Sequence, residues 1–176
     1  MLAPGQITAS PWVARFAPLI RPGGAALDVA CGGGRHAVLL AELGHDVVAV
    51  DRDLGGLPAH GRIEAVQADL EAGPWPLPGR RFDAVIVTNY LHRPLFPALL
   101  ESLADDGLLL YETFAVGNER FGRPSNPDFL LRPGELLDVC KGTLRVLAYE
   151  DGIENESRAV QRIAATKGQR SWPLPG

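Results

Sequence analysis

The chain has 176 residues, of which 46% are apolar, 22% charged and 7% aromatic. That is one domain of ordinary globular composition, which excludes a disordered chain and allows a core that needs neither disulfide nor metal. A net charge of −4 argues against a surface that grips nucleic acid throughout, and the two cysteines, Cys31 and Cys140, form no CxxC pair and no Cys/His cluster.

No apolar run approaches the ~18 residues of a membrane span. The opening residues Met1 to Pro4 lack the positive charge and apolar core of a secretion signal. A soluble, cytoplasmic protein is expected. Lysine occurs only at Lys141 and Lys167, while Ala, Gly, Pro and Arg are abundant, which reads as a GC-rich bacterial coding bias.

The chain opens on a short helical stretch. Ser10 and Pro11 suit the N-cap and first helical position, and Pro18 limits the helix's length. Ala25 to Ala30 is an apolar strand interrupted by Asp28, and Cys31-Gly32-Gly33-Gly34 follows it. Arg35 to Leu43 then reads as a helix, with Ala37, Leu40 and Leu43 on one stripe and Gly44 past its end. Asp46 to Asp51 is a buried strand with an acid at its tip. Leu54 to Gly61 is too rich in Gly and Pro for a regular helix. Ile63 to Ala68 is a third strand, ending at Asp69, and Phe82 to Thr88 is a continuous apolar strand suited to the middle of a sheet.

Pro94 to Ala104 predicts a helix, with Leu95, Leu99 and Leu103 on its core face, and Leu108 to Phe114 a fifth strand. Ala115 to Arg132 has no periodicity, and Pro133 to Cys140 predicts a short helix. Thr143 to Glu150 and Arg158 to Thr166 suit an antiparallel edge hairpin that turns near Asp151 to Glu156. Strands alternating with helices give an α/β, doubly wound, Rossmann-like domain with a mostly parallel sheet. The whole chain, 1–176, is expected to be a single domain, with 1–24 as an N-terminal helical segment.

The chemistry gathers where strands end. In an open parallel sheet, ligands bind outside the carboxyl ends of the strands. Asp51 there suits ribose hydroxyls, Asp69 suits an adenine amino group, and the glycine turn lets backbone approach a ligand closely. Together they describe a site for an adenosine-containing cofactor. Gly32, Gly34 and Ala37 also fit the G-x-G-x-x-A dinucleotide fingerprint, which alone is a weak signal. Two features favour S-adenosylmethionine over a nicotinamide nucleotide. Asp28 lies inside the first strand, where dinucleotide binders carry apolar residues, and the length leaves no substrate domain for a dehydrogenase.

At these residues the sequence resembles the class I S-adenosylmethionine-dependent methyltransferases. The likeness lies in L-D-V-A-C-G-G-G-R-H (Leu27 to His36), V-V-A-V-D-R-D, Q-A-D-L and F-D-A-V-I-V-T-N-Y-L-H. Its small size resembles the tellurite-resistance-type bacterial members most. The resemblance implies a seven-stranded sheet in the order 3-2-1-4-5-7-6 with an antiparallel last strand. It implies that Asp28, Ala30, Gly32 and Gly34 line the methionine and ribose end. Asp51 and Arg52 would serve the ribose, Asp69 and Leu70 the adenine, and Asn89 and Tyr90 the region of the methyl group. The first glycine of the family turn is Ala30 here, and its methyl narrows the methionine end.

Methyl transfer asks the protein mainly for alignment and exclusion of water. His92 is the candidate base for an acceptor that carries a proton, because an ordinary imidazole titrates near pH ~6.5. Tyr90 is the candidate to position that acceptor. Residues 115–132 read as a candidate lid, with Asn118, Arg120 and Arg123 facing an anionic substrate, or as a stiff loop packed on the sheet. Plainer readings stand beside these: Asp28 as a structural acid for turn N–H groups, His92 as a helix start, Tyr90 as packing and Cys31 as buried filler. The expected partner is a small-molecule acceptor, with no membrane, no nucleic acid and no metal, in a monomer or homodimer. Three other readings stay open: an RNA or protein methyltransferase, a nicotinamide-nucleotide oxidoreductase domain, and a module that binds cofactor without catalysis.

Overall fold

Seven strands form one sheet in the computed structural model, which describes residues 8–168 and 170–175. They are β1 (Ala25–Val29), β2 (Asp46–Asp51), β3 (Ile63–Gln67), β4 (Phe82–Thr88), β5 (Leu103–Phe114), β6 (Arg145–Glu154) and β7 (Arg158–Thr166). Their order is β3-β2-β1-β4-β5-β7-β6. The first five strands pair in parallel, and β7 runs antiparallel to both β5 and β6. This is the α/β architecture and strand order that the resemblance implies. The opening residues Met1 to Pro4, and the first part of the expected 1–24 segment, lie outside the described residues.

The middle strands are apolar because both of their faces are covered. On one face, helices α1 (Pro11–Phe16) and α2 (Arg35–Glu42) press Trp12, Phe16, Ala37 and Leu40 onto Ala26, Ala49, Ala84 and Ile86. On the other, α3 (Phe96–Glu101) and α4 (Glu135–Cys140) set Leu99, Leu136 and Cys140 against Leu27, Val85, Val87 and Leu109. Burying each such leucine contributes about 1.5–3 kcal/mol. Ser10 caps α1 as expected, its hydroxyl accepting from the N–H groups of Trp12 and Val13, and α1 stops before Pro18.

Three segments differ from expectation. The predicted helix over Pro94 to Ala104 is a 3-10 turn, Arg93–Leu95, followed by the short α3. Leu103 belongs to β5, where it pairs with Phe82 and is fully buried. The strand then bulges through Ala104–Asp106 before its register with β4 resumes at Leu108. Gly107 permits that bulge, since a Cβ there would stand 2.8 Å from the Ala104 carbonyl oxygen and 2.9 Å from that of Phe82. The segment 115–132 is not a plain connection. Its ends meet in a bridge between Ala115 and Leu131, and two 3-10 turns lie between them. It is a compact Ω-loop.

The closing hairpin is longer than predicted, with β6 running on to Glu154. Its turn places Asn155 and Glu156 at φ 49° and 52°, and the Ser157 N–H donates to the Glu154 carbonyl at 3.0 Å. Three residues separate the paired Glu154 and Arg158, and the first two are left-handed, a conformation in which Asn-Gly is the preferred pair. Glu156→Gly therefore raises stability by about 0.5–1 kcal/mol, read as a higher urea midpoint with unchanged slope. Glycine here must lower neither midpoint nor slope if the left-handed turn is correct.

Candidate active site

The sheet's strand order reverses between β1 and β4, and their carboxyl ends open a cleft of about 320 Å³. Each neighbouring strand tip supplies part of the wall: Ala30 after β1, Asp51 and Arg52 from β2, Ala68 to Glu71 after β3, and Asn89 and Tyr90 after β4. Ala30 and Asn89 turn away from the sheet at φ 52° and 53°. A left-handed conformation costs a residue with a Cβ roughly 1–2 kcal/mol, so these bends persist only because the flanking strands impose them.

Asp51 and Asp69 arrive in this one cleft, as the sequence reading requires. The Asp51 carboxylate accepts from the N–H of Gly32 at 2.8 Å and of Asp53 at 3.0 Å, which fixes it against the glycine turn. Asp69 accepts from the N–H groups of Glu71 and Ala72 at 2.9 and 3.1 Å. Those two bonds hold its carboxyl below the usual carboxylate range, with Arg52 and His92 adding to the effect. Leu70, Arg52, Ala30, Asn89 and Tyr90 line the same cleft. Ala68, within the Q-A-D-L stretch but given no role, lines it too, and so does Glu71, which was missed because it falls just beyond that stretch.

Gly32, Gly34 and Asp28, by contrast with expectation, are not among the residues that line the cleft. Gly34, at φ 75°, is the N-cap of α2, and a Cβ on it would collide with Leu57. Asp28 is buried in β1, and its carboxylate accepts from the Ala37 N–H at 2.9 Å. It satisfies one of the unpaired donors of the helix's first turn. Burial pushes its carboxyl up to about 7, with the Ala37 N–H and Arg35 opposing and Asp51 adding to the rise. The structural reading of Asp28 thus describes its contacts.

Tyr90 brings its hydroxyl into buried space where it has no hydrogen-bond partner among the described residues. Burial, with the carboxylates of Glu71, Asp69 and Asp51, pushes its phenol above the ordinary value, so it remains a proton donor. His92 is half-buried, two residues further on, at the N-cap of the Arg93–Leu95 turn, and is not among the residues that line the cleft. Cys31 is buried, and its thiol is pushed up to about 12 by burial and by Asp28 and Asp51, which suits filler and not a nucleophile.

The three residues assigned to substrate do not join this cleft. Asn118 is buried, contrary to expectation. Its amide donates to the Pro124 carbonyl at 3.0 Å and accepts from the Ala159 N–H at 3.1 Å, so it pins the Ω-loop to β7. Arg120 is exposed, lies over the Phe121 ring and donates to the Gly117 carbonyl. Arg123 is exposed and also outside the cleft.

A buried polar chain beside the site has no signal in the sequence. The His36 Nε2 accepts from the Ser10 N–H at 3.0 Å, which assigns its proton to Nδ1, 3.3 Å from the Thr88 hydroxyl oxygen. Burial and Arg35 push this imidazole down to about 4, so it is neutral at pH 7. The Ser10 hydroxyl donates to Glu112 at 2.9 Å, and Glu112 accepts from Arg162 at 3.0 Å. The chain ties α1 to the tips of β4 and β5.

Comparison with known proteins agrees with this fold. Residues 26–105 match the family described as a methyltransferase domain. No curated protein matches the sequence. Among solved structures, TehB from Haemophilus influenzae superposes with a TM-score of 0.69 at 20% identity over 88% of this chain, which spans 61% of that protein's length. A TehB-like SAM-dependent methyltransferase from Corynebacterium glutamicum gives a TM-score of 0.63 at 20% identity, covering 89% of this chain and 86% of its own. The 1,6-didemethyltoxoflavin-N1-methyltransferase of Burkholderia thailandensis, solved with 1,6-didemethyltoxoflavin and S-adenosylhomocysteine, gives 0.62 at 19% identity, covering 90% of this chain and 76% of its own. The fold is that of the class I S-adenosylmethionine-dependent methyltransferases, and the matched methyltransferase domain supplies its first four strands and the start of β5.

Asp28 sets a pH dependence. Its folded value of about 7 stands above the 3.8 of an ordinary aspartate, so its ionisation opposes folding progressively from pH ~4 to 7 and fully above that. Asp28→Asn, whose side-chain oxygen can still accept from Ala37, gains at least about 1 kcal/mol at pH 8 and little at pH 4. Urea unfolding at both pH values measures it, and an equal shift at the two would contradict a buried, reluctant carboxylate.

Proposed function

We propose that this chain is a cytoplasmic S-adenosylmethionine-dependent methyltransferase that acts on a small molecule, as a monomer or homodimer. The observation that carries the reading is the meeting of Asp51 and Asp69, from successive strand tips, with Asn89 and Tyr90 in one cleft.

The donor set fits that cofactor. Asp51, Asp69 and Glu71 give the cleft carboxylates that accept hydrogen bonds and favour positive charge, and the buried Tyr90 hydroxyl awaits a partner. A dinucleotide fits less well. Its pyrophosphate needs free N–H groups at the start of α2. Here the Asp28 carboxyl already occupies the Ala37 N–H, so that donor is not free for a phosphate.

S-adenosylmethionine, when bound, supplies a methyl group already activated as a sulfonium. The rest falls to the chain's own residues. Asp51 would hold ribose hydroxyls, with Arg52 beside it. Asp69 and Leu70 would bracket adenine. Ala30, Gly32 and Gly34 would shape the methionine end over Asp28. Asn89 and the protonated Tyr90 hydroxyl would orient the acceptor, and His92 would take a proton from an acceptor that carries one. The net charge of −4 favours a small acceptor over RNA. The bound small heterocycle in the Burkholderia thailandensis protein is consistent with that choice.

Titration calorimetry with S-adenosylhomocysteine tests the reading. Saturable one-to-one binding is expected, with Asp51→Ala weakening it about 10–100-fold through loss of charged hydrogen bonds worth ~1.5–3 kcal/mol. No heat at ~1 mM ligand, or tighter binding of NADH, would overturn it.

A further inference from the structure

The corner that aims Tyr90 into the cleft is held by three ties. Asn89, bent at φ 53°, donates its N–H to the Glu112 carbonyl at 2.9 Å. Tyr111, on β5, donates its hydroxyl to the Tyr90 carbonyl at 2.8 Å. Arg93 extends a fork to Glu135 at 2.7 and 3.0 Å and donates to the carbonyls of Asp128 at 2.7 Å and Leu130 at 2.9 Å.

The first tie uses backbone alone, and any residue supplies it. The other two depend on side chains. Tyr111 is 1% exposed and packs its ring at 6.0 Å from that of Phe96. Phenylalanine would fill that space equally well. A buried hydroxyl costs about 1–3 kcal/mol unless it is bonded, and this one spends its proton on the Tyr90 carbonyl. Arg93 is similarly specific. Its fork matches a carboxylate and two carbonyls at once, which a lysine ammonium does not reproduce. Its partner Glu135 is 6% exposed and is fixed in turn by the Arg132 N–H at 2.8 Å. Burial would raise the Glu135 carboxyl, but the hydrogen bonds from Arg93 and Arg132 outweigh it and hold the group at about 2.

We propose that Tyr111 and the Arg93–Glu135 pair are positioning residues: they set the direction of the Asn89–Tyr90 corner, and through it the orientation of the Tyr90 hydroxyl toward the ligand. Neither touches the cleft. Tyr111 acts from the sheet beneath the corner, and Arg93 acts from the Ω-loop's exit and the start of α4. The ligand-binding consequence rests on the methyltransferase reading. The corner's geometry does not.

Tyr111→Phe and Arg93→Lys are the test variants, because each keeps the bulk or the charge. The first readout is the NMR signals of the Tyr90 amide and ring in the ligand-free protein, with the amide of Ile63, on β3 at the far edge of the sheet, as a remote reference. Both variants are expected to move the Tyr90 signals and leave that of Ile63 in place. Unmoved Tyr90 signals overturn the proposal, whatever the wild type binds. The second readout is affinity for S-adenosylhomocysteine. Tyr111→Phe is expected to lower it about 5–10-fold, and to have no further effect once Tyr90 is already Ala. A merely structural role would lower the melting temperature and weaken binding alike in both backgrounds, and that result also overturns the proposal. A wild type that binds no S-adenosylhomocysteine, with Tyr90 signals that do move, would sink the methyltransferase reading and leave the positioning intact.

Discussion

Two left-handed bends, at Ala30 and Asn89, govern what this sheet can do. They sit at the tips of β1 and β4, which are neighbours in the sheet but lead the chain off in opposite directions across it. A parallel arrangement brings every functional tip to one edge, and the reversal of strand order parts the following loops there. The bends turn that parting into a cleft. Alanine resists such a bend while asparagine tolerates it, so Ala30 above all needs rigid surroundings. The Cys31 N–H bonds the Val50 carbonyl at 3.0 Å just after the first, and the Glu112 carbonyl receives Asn89 at the second. The buried polar chain through Ser10, His36, Thr88 and Glu112 braces the same region from the opposite face.

Charge decides what kind of ligand the cleft suits. Carboxylates come from the ends of β2 and the turn after β3, and a further one, Asp28, stands behind the glycine turn. Several backbone N–H groups that would otherwise attract an anion are engaged: Gly32 and Asp53 with Asp51, Ala37 with Asp28, and Glu71 and Ala72 with Asp69. The remaining capacity is for accepting hydrogen bonds and for neutralising a cation, the profile of a nucleoside joined to a positively charged group. The protein bears a stability cost at Asp28 for this arrangement, since burial opposes its ionisation.

Much of this was legible in the sequence because it is local. The apolar runs of β1, β2 and β4, the glycines before α2 and the acids at Asp51 and Asp69 each follow from a short stretch of chain. The end of α3 was not, because Leu103 suits a helix face and a strand equally and only its pairing with Phe82 decides between them. Asn118 looked like a group for substrate. Its true partners, Pro124 and Ala159, include one 41 residues away across the fold. The bond from Ser10 to Glu112 spans 102 residues, and no periodicity could reveal it. Tyr111 falls in the predicted fifth strand, but its hydroxyl meets Tyr90 only once β4 and β5 are in register.

The most direct measurement is a crystal structure of the protein with S-adenosylhomocysteine. The account predicts the ribose hydroxyls within hydrogen-bond distance of the Asp51 carboxylate, adenine between Asp69 and Leu70, and the homocysteine sulfur facing Asn89 and Tyr90. Electron density for the ligand elsewhere, or an Asp51 side chain turned out of the cleft with the ligand bound, would contradict it.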